Sequence, residues 1–107
     1  MFNFEVISML DKGDTIRFKL KAMRYVAFIK HSEKEIAEAF ATGDEKYAIS
    51  EVCRVEKERH EYHNAAINAV KELNKVAKEH GFEAVYQSED YRRDVITDFC
   101  YQYLSRA

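Results

Sequence analysis

The chain has 107 residues, room for one domain over 1–107 and not for two, and at 47% apolar residues it can build a real core. It contains no proline and three glycines against seven Phe and seven Tyr, a balance that excludes a protein of sheets and tight turns and favours helices joined by short links. A net charge of −2 excludes a strongly basic nucleic-acid binder, although residues 1–31 carry six Lys/Arg against three Asp/Glu and the rest eleven against sixteen.

In chain order, Phe2, Phe4 and Val6 alternate like a strand, whereas Val6, Ile7 and Leu10 keep helical spacing. A single strand would have no partner, so the expectation is a short helix. Asp11-Lys12-Gly13-Asp14 reads as a turn, with Asp14 capping the next helix. That helix, Thr15 to Lys30, is apolar almost all round, as a helix packed on more than one side should be. Arg17, Lys21 and Arg24 form its basic edge. The edge is expected to face solvent and the acidic remainder of the chain, or else to dock phosphate or an acidic partner. Three cations are few for nucleic acid, so any such docking is expected to be weak.

Ser32-Glu33-Lys34-Glu35 has the form of a capping box, which predicts a fresh, short helix through Ile36, Ala37, Ala39 and Phe40, ended by Thr42-Gly43. The next stretch, Asp44 to Gly81, has no proline and no internal glycine. Asp44 suits an N-cap, and Gly81 suits the left-handed position past a last turn. Tyr47, Ala48, Val52, Val55, Tyr62, Ala66, Ala69, Val70, Leu73, Val76 and Ala77 share one side at 100° per residue. The pattern predicts one long helix over about 45–80, or two end to end with a break at 59–64, where mediocre helix formers cluster. A rod of that length outreaches a compact domain of this size, which calls for either a break or cover from a second subunit. Phe82 to Tyr86 then reads as an extended link. Ser88 is expected to cap the last helix, with Glu89 and Asp90 in its first turn and a stripe of Tyr91, Val95, Ile96, Phe99, Cys100, Tyr103 and Leu104. The fold class is therefore all-α, a four- or five-helix bundle around one long helix.

Some polar residues interrupt the apolar faces. Arg59 and His63 fall inside the arc of the long element, with Glu56 and Asn74 at its border and His60 just outside. Arg92 falls in the stripe of the last helix. A buried arginine is costly unless paired, so Arg59 and Arg92 should meet carboxylates, an external anion or a subunit interface. Glu56, Asp94 and Asp98 are the carboxylates at hand for a structural network. Glu56, His60 and His63 are weak metal candidates. The two histidines diverge by about 60° around the axis, and neither HExxH nor paired Glu-x-x-His motifs occur. The phosphate-loop, dinucleotide and nucleophile-elbow motifs are absent too, so no cofactor and no catalytic residue is assigned. Cys53 and Cys100 lie on helical patterns, expected as reduced, partly buried packing residues. The start of the chain lacks a basic leader region and the apolar run Tyr25–Ile29 is too short for a membrane span, which sets the expectation of a cytoplasmic protein with no membrane partner.

The run of Arg59, His63, Ala65, Ala66, Ile67, Ala69, Val70, Leu73, Asn74, Ala77 and Gly81, followed by Tyr86, Asp90, Arg92 or Arg93, Val95, Asp98 and Phe99, resembles a family of short, uncharacterised bacterial helical proteins. The likeness covers roughly 59–104. It departs at Asn64, where the family pattern often has Asp. The resemblance implies a bacterial, intracellular protein in which Arg59, His63, Asn74 and Arg92 act together, and it implies no reaction. The function expected is a non-enzymatic helical protein acting through protein contacts, as a homodimer. The alternatives are an anion- or metal-binding enzyme around Arg59, His63 and Arg92, and nucleic-acid docking through Arg17, Lys21 and Arg24.

Overall fold

The computed structural model describes residues 2–106. Asn3 accepts from the amide of Val6 and so caps α1, Phe4–Met9. Asp11, and not Asp14, caps α2 by accepting from the amide of Gly13, so the second helix starts at Lys12. Asp14 instead sits in its first turn, with its carboxylate 3.5 Å from the His80 ring.

Helix α2 runs unbroken over Lys12–Ala41, where the capping box predicts two helices. The Ser32 hydroxyl donates back to the carbonyl of Ile29 at 3.0 Å, a bond made inside a helix and not at its start. Glu35, the other half of the box, is drawn to Arg54 across the hairpin and to His31. Gly43, at φ +76°, makes the turn into α3, Glu45–Glu79. Asp44 caps this helix by accepting from the amide of Tyr47, and Gly81, at φ +77°, takes the left-handed position after it.

There is no break at 59–64. Tertiary contacts hold the weak helix formers in place. Tyr62 stacks on Phe28 with centroids 4.6 Å apart, and His63 is buried. The last helix, α4, covers Arg93–Arg106, so Ser88 does not cap it. Ser88 accepts from the Asp90 amide in the preceding turn. Four helices result among the described residues, and the all-α class holds.

The extended residues pair once. Phe2 and Tyr86 form an isolated antiparallel bridge, and the Asn3 amide donates to the Val85 carbonyl at 2.7 Å. The strand-like alternation at the start therefore has a physical counterpart one residue deep, before the helix takes over. Phe99 is the hub of the core, with the rings of Phe2, Phe4, Phe18 and Tyr86 at 4.8–5.9 Å.

Helices α2 and α3 form a long antiparallel hairpin in a molecule of 55 × 23 × 20 Å. Their packing repeats every seven residues. Phe18, Tyr25, Ser32 and Ala39 are all buried, as are His63, Val70 and Ala77. This is coiled-coil periodicity. Helix α4 lies along only the part of the hairpin nearest α1, with Tyr103 against Phe18 at one end and Arg93 reaching Glu56 at the other. Beyond Arg93 the hairpin continues as two helices.

Candidate functional site

The polar residues of the long helix gather where α4 begins. His63 is 8% exposed, and its Nε2 lies 2.9 Å from the carbonyl of Tyr91. A carbonyl only accepts, so Nε2 carries a proton and donates. Burial pushes the His63 pKa down and outweighs the Tyr91 bond that favours the charged form; Arg93, His60 and Arg59 push it down further. His63 is therefore a neutral donor that ties the start of α4 to the middle of α3.

Glu56 is bound by Arg93 at 2.7 Å. That bond, aided by the nearby Arg59 charge, holds its carboxyl below the usual range. Arg59 contributes charge but its Nε is buried with no hydrogen-bond partner among the described residues. Asn74 has a different task. Its side-chain amide donates to the Tyr86 carbonyl at 3.1 Å and accepts from the Tyr86 amide at 3.0 Å, so it pins the extended link as a neighbouring strand would. The Tyr86 hydroxyl then donates to the carbonyl of Asp90.

Arg92 corrects the expected cluster. Its side chain is 73% exposed and pairs with Asp90 at 2.8 Å, outside the core. The residue beside it, Arg93, takes the inward position. Arg92 precedes the first residue of α4, so helical spacing does not extend to it, whereas Arg93, three residues before Ile96 and seven before Cys100, lies on the buried stripe. Glu56 thus pairs with Arg93, and His63 and Glu56 both feel the charges of Arg59 and Arg93, while Asn74 holds the link at Tyr86. The metal candidates diverge as well. His60 bonds to Asn64 at 3.2 Å, His63 to Tyr91 and Glu56 to Arg93. No group of three or more His, Cys, Asp or Glu among the described residues could hold a metal ion.

Of the basic edge, Arg17 is bound to Glu72 of α3 at 3.1 Å, while Lys21 and Arg24 border shallow clefts between α2 and α3 with Glu58 and Glu61. Cys53 is exposed, not partly buried as expected, and Cys100 is buried, its thiol pushed up to about 12 by burial; both are free. Among the described residues no helix is long and apolar enough to cross a membrane.

Two features were missed in the sequence. Arg54 gathers Glu35, Glu51 and Glu58 at 2.8, 2.9 and 3.2 Å and clasps the two helices of the hairpin. The i−3 and i+4 glutamates were legible, whereas Glu35 depends on α2 being continuous. The second is an uncovered apolar face. Val26 is buried, and two heptads on, Phe40 takes the same heading but is 59% exposed. His63, Val70 and Ala77 are buried, and two heptads before His63, Ile49 is 57% exposed. Ile36 and Val52 are half-buried between them. Phe40 and Ile49 therefore leave apolar surface bare at the hairpin tip, while the same heptad positions one step inward are the exposed acids Glu33 and Glu56.

A comparison with protein families, curated proteins and solved structures found no match to this chain.

Proposed function

We propose that this is a non-enzymatic helical protein that acts through protein contacts and works as a homodimer, joined face to face at the hairpin tip. One observation carries the reading: Phe40 and Ile49 stand more than half exposed at the hairpin tip, past the point where Arg93 opens α4 and the molecule becomes two helices. Exposed apolar side chains sharing one face mark an interaction surface. A second copy fits because the exposed charges around the tip are of both signs, Lys34 and Lys46 among Glu33, Glu38, Asp44 and Glu45, so the cations of each copy can meet carboxylates of the other. Two tips packed together make a four-helix arrangement and cover the rod that outruns its own bundle.

The polar cluster supports this reading better than an enzymatic one. His63, Glu56 and Asn74 are engaged with Tyr91, Arg93 and Tyr86, and Arg92 is turned outward, so a site around Arg59, His63 and Arg92 has lost one of its members. The resemblance to small bacterial intracellular proteins is in keeping with the proposal, which places the protein in the cytoplasm.

Sedimentation velocity over a hundredfold concentration range tests the proposal. The wild-type chain is expected to move from monomer to dimer. Phe40→Glu and Ile49→Lys, both at exposed sites, should leave the helix content and melting temperature of the monomer nearly unchanged and weaken association at least tenfold. A wild-type chain that stays monomeric at the highest concentration, or variants that dimerise equally well, would overturn it.

A further inference from the structure

The outer face of α2 near its N-terminal end carries a second apolar seam that no other helix covers. Ile16, Leu20 and Met23 are each about half exposed, and Ala27 continues their spacing of four, three and four residues. That spacing is the a/d seam of a coiled coil. Over residues 12–24 the positions flanking such a seam are Lys12 and Lys19 on one side and Arg17 and Arg24 on the other, all exposed and basic. The next position of the spacing is Lys30, whose ammonium lies 6.0 Å from the centre of the Tyr101 ring of α4, so the uncovered apolar seam ends at Ala27. Asp14 is turned to the opposite side of the helix, and Glu33, two heptads past Lys19 on the same flank, lies beyond the apolar part of the seam. Among the described residues, Arg17 alone of these cations has an acidic partner on α3, Glu72.

We infer that this seam docks an acidic amphipathic helix of a partner protein, one with Leu or Ile at its own a and d positions and Glu or Asp flanking them. The inference rests on the reading of the protein as a protein-binding module but uses a different surface from the dimer. Flanking charges set the choice of partner in coiled coils. Four cations beside the seam repel a second copy of the same helix and select a partner of opposite sign. The three apolar side chains between the cations distinguish this face from one that binds only phosphates, where hydrophobes have no role.

A designed probe tests it: a three-heptad peptide with Leu at a and d and Glu at e and g, compared by fluorescence anisotropy with a scrambled peptide of the same composition. The acidic amphipathic peptide should bind at least tenfold more tightly than the scrambled one, and more weakly as salt rises. Lys19→Glu with Arg24→Glu, and separately Ile16→Ala with Leu20→Ala and Met23→Ala, should each cost at least tenfold. All these sites are exposed and alanine favours helix, so circular dichroism should be unchanged. Equal binding of the scrambled peptide would overturn the inference, because charge alone would then suffice. Tighter binding to a DNA duplex or to phosphatidylserine vesicles than to the peptide would overturn it too. The dimer variants Phe40→Glu and Ile49→Lys should bind the peptide normally, so failure of one surface is distinguishable from failure of the other.

Discussion

At His63 the chain places a titratable ring in the one spot where its uncharged form is required. The ring is buried and donates to the Tyr91 carbonyl, and burial lowers its pKa from the ordinary 6.5. In the unfolded chain the ring takes up a proton near pH 6.5, while the folded protein refuses it until lower pH. The unfolded state then binds more protons, so stability falls as pH drops from about 6.5 toward the folded pKa and is unaffected by this group above that window. His63→Gln keeps an amide donor without a titrating ring. Urea denaturation at pH 7.5 and 5.5 should show the wild type losing more stability than His63→Gln across that interval; identical losses would mean that the ring titrates as it does in water. His63 was legible in the sequence as a polar residue inside an apolar arc. Its partner was not, because a backbone carbonyl 28 residues away has no signature in the side-chain pattern. The companion arginine was placed one residue off, since Asp90 pulls Arg92 outward and the true start of α4 gives Arg93 the inward heading.

At the scale of elements, caps with a dedicated residue were readable. Asp44 and Gly81 bound α3 as their chemistry requires. Ser32 and Glu35 misled because Ser-x-x-Glu is equally at home inside a helix, where Ser bonds back to the preceding turn and Glu is free for Arg54. Of the two alternatives for the long element, the unbroken helix is the one that forms, for a related reason: propensity differences of a few tenths of a kcal/mol per residue yield to stacking such as Tyr62 on Phe28. Continuity of α2 has a sharp test at Glu33. Were Ser32 an N-cap, proline at the following position would be tolerated or even favourable. Inside a continuous helix it removes a backbone donor and clashes with the previous turn, at a cost of about 3 kcal/mol or more. Glu33→Pro should therefore lower stability by about that much in chemical denaturation, and a neutral outcome would mean two helices.

For the whole molecule, the all-α class followed from the absence of proline, the scarcity of glycine and the helical stripes. What the sequence did not reveal is that the third layer stops partway, because the length of α4 relative to the hairpin depends on where the link between Gly81 and Arg93 returns the chain. That return, fixed by Asn74 and the Phe2–Tyr86 bridge, starts α4 beside Glu56 and leaves Phe40 and Ile49 bare. The molecule carries its own probe of that face. Cys53 is exposed near the tip, while Cys100 is buried with its thiol pushed up to about 12, so a spin label attaches to Cys53 alone. Pulsed dipolar spectroscopy of the labelled protein should give a distance between the two labels below about 45 Å, from the 1.5 Å rise per residue. The signal should strengthen with concentration and be lost in Phe40→Glu. No dipolar signal at any concentration, or distances well beyond that value as in a dimer joined at the α1 end, would contradict a dimer joined at the tip.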